Sequence, residues 1–111
     1  MSQDEMEQNR QRHRQQFGDG IRNITQSIAK ALEEIGIAVN VEEFEYVPPW
    51  GSNRGVPEAI EIRVKPAGAP VLIARFSAEQ VEDSHRSLER PDVRQEIRAI
   101  AAEYTRLKAG R

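Results

Sequence analysis

The stretch "AIEIRVKPAGAPVLIARFSAEQV", residues 59–81, decides the fold, because it contains two strands, the turn between them and the start of a helix. Its first part alternates, so that Ile60, Ile62 and Val64 share one face while charged residues occupy the other. The residues "PAGA" at 66–69 are typical of a turn. The stretch therefore predicts a β-hairpin with one apolar face.

The second strand of this hairpin, "VLIARF" at 71–76, is apolar on both faces. Every second residue continues the core face, whereas Val71 and Ile73 project from the opposite one. In a three-stranded meander this strand lies at an edge, where exposed apolar residues invite pairing. We expect either a second copy of the chain or one of its own helices to cover Val71 and Ile73, and we favour the dimer.

The residues "SAEQ" at 77–80 match a capping box, in which the side chains of Ser77 and Gln80 each bond the other's backbone N–H. The strand therefore continues directly into a second helix. Three residues form the predicted inner stripe of that helix: Val81, His85 and Leu88.

A third helix is predicted from Pro91, because proline suits the first position of a helix. Apolar residues then recur at steps of four and three, which places them on one face. They are Val93, Ile97, Ile100, Tyr104 and Leu107.

Upstream of the hairpin, apolar residues recur at steps of three and four over 21–35, which predicts an amphipathic helix. The residues "GDG" at 18–20 indicate that this helix starts there, with Asp19 as its N-cap. Gly36 indicates the end, since a left-handed residue there lets Ile37 pack back on the last turn.

Residues 37–47 alternate with a slip in phase, which predicts a first strand with a bulge at Glu42 and Glu43. The first 17 residues are almost entirely polar and are predicted to form a disordered or frayed polar tail. Residues 18–109 then form a single α+β domain. It consists of a helix, a three-stranded antiparallel meander and two C-terminal helices, packed in two layers.

Composition limits the classes of function. The 111 residues suffice for one domain, and the formal net charge of -2 argues against a general attraction to nucleic acid or anionic membranes. The absence of cysteine excludes thiolate chemistry and favours a reducing compartment. No apolar run reaches the ~18–20 residues of a membrane span, and the polar start lacks the apolar core of a secretory signal. We expect a soluble cytoplasmic protein.

Residue types that carry chemistry are sparse. His13 lies in the polar tail, and a lone histidine such as His85 on the inner side of a helix usually packs and does not catalyse. The residues "GSNRG" at 51–55 lack the lysine and the helix of a phosphate-binding loop. We expect no catalytic residue, metal, cofactor or nucleotide. Five acids cluster with no base among them, as a solvated edge or as a docking patch for a basic partner: Glu33, Glu34, Glu42, Glu43 and Glu45.

Nucleic acid is the alternative partner. The segment "RQRHRQQ" at 10–16 is rich in arginine, and the order helix, three strands, helix resembles that of the double-stranded RNA-binding domain. The second helix of that family opens with a lysine cluster that grips phosphates, whereas "SAEQVED" at 77–83 is acidic. The family's Gly-Pro-x-His loop signature is also missing from "PPWGSNRGV" at 48–56. RNA or DNA binding through the arginine-rich tail stays an alternative, as does a small enzyme without a recognisable motif.

The segment "YVPPWGSNRGVP" at 46–57 is longer than the two to five residues that usually join paired strands. Trp50 within it is predicted either to plug the open end of the core or to anchor a partner, with Arg54 beside it. We expect a non-catalytic protein-interaction module that is able to pair with itself through its sheet. Its candidate partner-binding residues are Pro48, Pro49, Trp50, Arg54, Val71 and Ile73.

Overall fold

A computed structural model describes residues 3–40, 44–47 and 58–109. The three strands form one antiparallel sheet in the order β1-β2-β3, and the helices cover one of its faces. The predicted order of a helix, three strands and two helices is confirmed. The elements are α1 (Gln3–Glu34), β1 (Phe44–Val47), β2 (Ala59–Val64), β3 (Leu72–Ser77), α2 (Ala78–Asp83) and α3 (Pro91–Ala109).

Helix α1 begins at Gln3, so the prediction that it starts after "GDG" with Asp19 as its cap is wrong. Residues 18–20 lie inside the helix, and the reason is packing. A Cβ atom at Gly20 would lie 1.8 Å from the carbonyl oxygen of Val81 in α2. Glycine at this position therefore allows two helix backbones to approach closely.

The polar segment 3–17 is the first half of this helix. Phe17 at its end is buried, whereas every side chain before His13 is exposed apart from the half-buried Asn9. The predicted boundary between residues 17 and 18 is therefore not a break in secondary structure. Motion of residues 1–17 relative to the rest of the chain stays a prediction.

The end of α1 follows the prediction. Gly36 has a φ of +83°, and its N–H donates to the carbonyl of Glu33 at 3.0 Å. The N–H of Ile37 donates to the carbonyl of Leu32 at 2.9 Å. These two bonds form a Schellman motif, which satisfies carbonyls that the helix itself leaves without a partner.

Strand β2 lies at the centre of the sheet, and its alternate residues from Ile60 to Val64 are at most 1% exposed, as predicted. Strand β1 is shorter than predicted, because residues 37–40 form no strand. Ile37 and Val39 pack against the core without pairing to β2. The proposed bulge at residues 42–43 lies outside the described residues.

The predicted capping box is confirmed at the start of α2. The N–H of Gln80 donates to the Ser77 hydroxyl at 3.2 Å, and the N–H of Ser77 donates to the Gln80 side chain at 2.8 Å. Strand β3 therefore continues into α2 without a loop.

Helix α2 ends at Asp83, so the prediction that His85 lies on the inner side of this helix is wrong. The side-chain amide of Asn23 in α1 donates to the carbonyls of Ser84 and His85, at 2.8 and 3.0 Å. Those carbonyls are satisfied by α1 and not by a further turn of α2. The chain turns here and reaches α3 at Pro91, as predicted.

Helix α3 joins the helical layer to the sheet through Tyr104, which is 1% exposed. Its hydroxyl lies 3.1 Å from the carbonyl of Val64 and 2.6 Å from that of Pro70, and donates to this pair. Burial raises the pKa of the Tyr104 phenol above its ordinary value. One buried hydroxyl therefore lies between the end of β2 and the turn that leads to β3, and its single proton is shared by the two carbonyls.

Candidate interaction surface

The outer face of the sheet, opposite the helices, carries two exposed branched apolar residues. Val71 and Ile73 are 51% and 49% exposed. Met6 is the other large apolar side chain that is exposed in the described part of the chain. We call Val71 and Ile73 the apolar edge pair, because Ile73 lies on the edge strand β3 and Val71 directly precedes that strand.

The outer face also carries charged side chains, and several of these pair with one another within the chain. Glu45 of β1 lies 3.5 Å from Arg63 and bonds Lys65, and Glu61 of β2 lies 3.0 Å from Arg75. The bond to Lys65 holds the pKa of Glu45 below its ordinary value. The outer face therefore divides into a charged region over β1 and β2 and an apolar corner on β3.

Among the described strands, β3 pairs with β2 along one side only, because it lies at the edge of the sheet. Its other side presents backbone groups that another strand could pair. One version of the prediction had a helix of the chain lying over the apolar edge pair. That version is wrong for the described helices, since they pack on the inner face and leave half of each side chain exposed.

The remaining predicted partner-binding residues, Pro48, Pro49, Trp50 and Arg54, lie outside the described residues. Whether Trp50 plugs the core or anchors a partner stays a prediction. Of the acidic cluster, Glu33 and Glu34 end α1 and Glu45 lies on β1, whereas Glu42 and Glu43 lie outside the described residues. A docking patch formed by these acids stays a prediction.

Sequence reasoning missed a cluster around Arg90, which precedes α3. The guanidinium bonds three carboxylates: Glu79 at 3.2 Å, Asp83 at 3.0 Å and Asp92 at 2.8 Å. The bonds from Arg90 and Gln80 lower the pKa of Asp92 to about 2. Because its donors are already directed at three acids, Arg90 links α2 to α3 and is a poor site for an external anion. Arg90 lies between α2 and α3 and outside both helices, so helical periodicity in the sequence could not have placed its side chain.

The described residues contain no group of three metal-binding side chains. His13 lies 3.2 Å from Glu82, and the Nδ1 atom of His85 lies 2.6 Å from the Glu82 carbonyl. A cleft of about 270 Å³ lies beside the end of α1, lined mainly by alanine and glycine with Tyr104 and Lys108 at its side. These sites do not bring together a nucleophile, a base and an orienting group.

Comparisons with known proteins define no class for this chain: no protein family model matches it, and neither a curated protein nor a solved structure is significantly similar. None of the described helices has the length and apolar character needed to cross a membrane.

Proposed function

We propose that this chain is a non-catalytic protein-interaction module that binds a second copy of itself through strand β3. The observation that carries the proposal is the apolar edge pair, which is half exposed at a strand that pairs with another described strand along one side only. Two such strands joined edge to edge extend the sheet to six strands and bring the two apolar pairs together.

A second copy fits this edge better than a charged partner. Arg75 is the one charged residue of β3, and its side chain already lies 3.0 Å from Glu61 of the same chain. The edge therefore has no remaining acid with which to recruit a basic strand. An antiparallel pair of identical strands needs no such charge, because a twofold axis places the same apolar surface on both sides.

The proposed register places Ile73 opposite Ile73 of the second copy. Val71 then lies opposite Arg75 of that copy, whose aliphatic stem covers the branched side chain. The two Arg75 charges stay apart, separated by the apolar residues between them. Directly opposed residues of two antiparallel strands have Cα atoms ~4.5–5.5 Å apart, a distance that a disulfide can bridge.

Single cysteines test the register directly, because the chain contains none of its own. Ile73→Cys should give a covalent dimer on mild oxidation, whereas Arg75→Cys on the same face should not. The two Arg75 positions lie about four residues apart along the pair, roughly 13 Å. Equal cross-linking of both variants, or none at all, would contradict the proposal. Cross-linking to a different protein with none between copies would do the same, since the partner would then be foreign.

A charged substitution tests the same contact without a cross-link. Ile73→Lys adds a charge to the edge and should halve the number of chains in each particle, measured as mass in solution, while leaving the circular dichroism unchanged. The absence of cysteine fits a reducing compartment, and we place this function in the cytoplasm.

A further inference from the structure

A polar cleft of about 410 Å³ lies between α1 and the turn that follows α2. One wall is formed by α1 residues at positions i, i+3, i+4 and i+7, which share one face of a helix. The described residues that line the cleft include two cations and no acid. They are Asn23, Gln26, Ser27 and Lys30 on α1, and Arg86, Ser87 and Leu88 on the turn.

Asn23 fixes the two walls of the polar cleft relative to each other. Its side-chain amide donates to the carbonyls of Ser84 and His85, at 2.8 and 3.0 Å, and these residues directly precede Arg86. Leu88 is half-buried and packs against the core. The turn is therefore held on both sides of Arg86, and the cleft is largely formed before a ligand binds.

The other polar side chains of the cleft keep their hydrogen-bonding capacity. None of them forms a hydrogen bond or an ion pair with the part of the chain that the structure describes: Gln26, Ser27, Lys30, Arg86 and Ser87. The backbone N–H groups of residues 86–88 form none either within the described chain. Two positive charges, two hydroxyls and an amide therefore meet in one place.

Other prominent cations and hydroxyls of the fold already have partners. Arg90 bonds three carboxylates. In the cleft beside the end of α1, Tyr104 and Lys108 bond backbone carbonyls. The polar cleft differs from both sites, because the donors of Lys30 and Arg86 are not directed at any described group.

We propose that the polar cleft binds the phosphate group of a phosphorylated small molecule. A phosphate monoester carries a charge of about −1.5 to −2 at pH 7 and three strong acceptor oxygens. Lys30 and Arg86 approach such a group from opposite walls and match its charge, and charge-assisted hydrogen bonds of this kind are the strong ones. The hydroxyls of Ser27 and Ser87 supply further donors, and Leu88 offers apolar surface to the organic part.

The arrangement favours this ligand over other anions. A carboxylate carries one charge and two oxygens, so it would leave one of the two cations without a counter-charge. A nucleic acid presents a long row of phosphates and is bound by several cations along a groove, whereas the polar cleft holds two. The cleft lies in the helical layer and the apolar edge pair on the opposite side of the sheet, so this proposal does not depend on self-association through β3.

Titration of the full-length chain with phenyl phosphate, followed by NMR amide shifts, tests the site. The shifts should be saturable and concentrated in residues 26–30 and 86–88. Benzoate is the matched probe, because it keeps the ring and replaces phosphate by carboxylate, and it should bind at least tenfold more weakly. Lys30→Gln and Arg86→Gln should each weaken phenyl phosphate by about tenfold or more, since each removes a charged donor.

Arg12→Gln is the matched control, because it removes the same charge from another exposed position of α1. Arg12 lies 18 residues before Lys30, which places it on the same side of the helix but about 27 Å away. That distance exceeds the screening length of ~8 Å at physiological salt, so the dissociation constant should not change. Lys30→Arg keeps the charge and should keep the binding, and Ile73→Lys should bind phenyl phosphate as the wild type does.

Four results would overturn the proposal. They are shifts that do not saturate, benzoate binding as tight as that of phenyl phosphate, cleft variants that keep the wild-type circular dichroism and bind as tightly as the wild type, and an equal loss in Arg12→Gln. A phosphoserine peptide or a short single-stranded DNA that binds at least tenfold more tightly than phenyl phosphate would overturn it as well, because the ligand would then be a macromolecule.

Discussion

The two halves of α1 differ in what holds them in place. Residues 17–34 carry a buried stripe, approach α2 closely at Gly20 and end in two defined hydrogen bonds. Residues 3–16 carry charges and glutamines, and no side chain there is fully buried. Packing therefore holds residues 17–34, whereas residues 3–16 share the same backbone conformation without a buried stripe. A helix that is polar on every side depends on local side-chain pairs or on a partner for its stability.

The substitution with the largest expected effect on this difference is Gly20→Ala. The added Cβ would lie 1.8 Å from a backbone oxygen of α2, which cannot move away as a flexible side chain could. We expect the free energy of unfolding to fall by about 3 kcal/mol, the upper part of the usual range for overpacking. Urea unfolding followed by circular dichroism measures it.

Gly18→Ala is the matched control, because it lies in the same helix with nothing within 4 Å of the added atom. Removing a glycine from an open helical position should stabilise the chain by about 0.5–1 kcal/mol. If Gly20→Ala lowers the free energy of unfolding and Gly18→Ala raises it, the tight contact lies at Gly20. Similar effects would show that α2 does not hold this half of α1.

These two glycines also show what sequence alone could not reveal. A glycine inside a helix weakens it, so "GDG" is reasonably interpreted as the start of a helix. Gly20 is required by the backbone of α2, which lies 61 residues further along the chain. His85 illustrates the same limit. Helix α2 ends at Asp83, and the carbonyls of Ser84 and His85 accept hydrogen bonds from Asn23 of α1.

Other elements were predictable because their signals are local. Alternation defined β2, the capping box marked the start of α2, and Pro91 marked the start of α3. Of the candidate site, the exposed placement of Val71 and Ile73 follows from the same alternation in β3. The Arg90 cluster and the approach at Gly20 depend on how helices pack, and neither leaves a pattern in the sequence.

The second test addresses the end of the packed half. Gly36→Ala forces a side chain into a left-handed conformation and brings its Cβ within 2.8 Å of the Lys108 ammonium. Lys108 donates to the Ile35 carbonyl at 3.0 Å and would have to move. We expect a loss of about 2 kcal/mol in unfolding free energy, of which the conformation alone accounts for about 1.

Gly68→Ala separates the two contributions, because Gly68 also has a positive φ but nothing lies within 4 Å of its added Cβ. It should lose about 1 kcal/mol. In a Lys108→Ala background the excess loss at Gly36 should disappear. An excess that persists there would mean that the lysine does not hold the end of α1.

The third test concerns the Arg90 cluster, which links α3 to α2, the helix that packs on α1. Acid tests it, because low pH removes the charge of the carboxylates that Arg90 bonds. Asp92 has a pKa of about 2, below its ordinary 3.8, mainly because Arg90 bonds its charged form. The charged form therefore stabilises the fold fully above pH 3.8, and that stabilisation is lost as the pH falls toward 2. Asp92→Asn should lack this part of the acid dependence, measured by urea unfolding at pH 5, 4, 3 and 2. Arg90→Met should lack it too, and an unchanged pH profile in either variant would show that the pair does not contribute.

The smallest expected effect concerns the contact that residues 3–16, the polar half of α1, make with α2. His13 and Glu82 form a partly buried pair at 3.2 Å, with side chains 35% and 11% exposed, and pairs near the surface usually contribute ~0–1 kcal/mol. His13→Ala should therefore change the free energy of unfolding by less than about 0.5 kcal/mol. Hydrogen exchange is the sharper measurement, because it resolves the two halves of α1 amide by amide. Amides 5–12 should exchange within seconds to minutes, while amides 24–32 stay protected. If amides 5–12 exchange as slowly as amides 24–32, the polar half of α1 is held as firmly as the packed half and the contrast between the two halves is wrong.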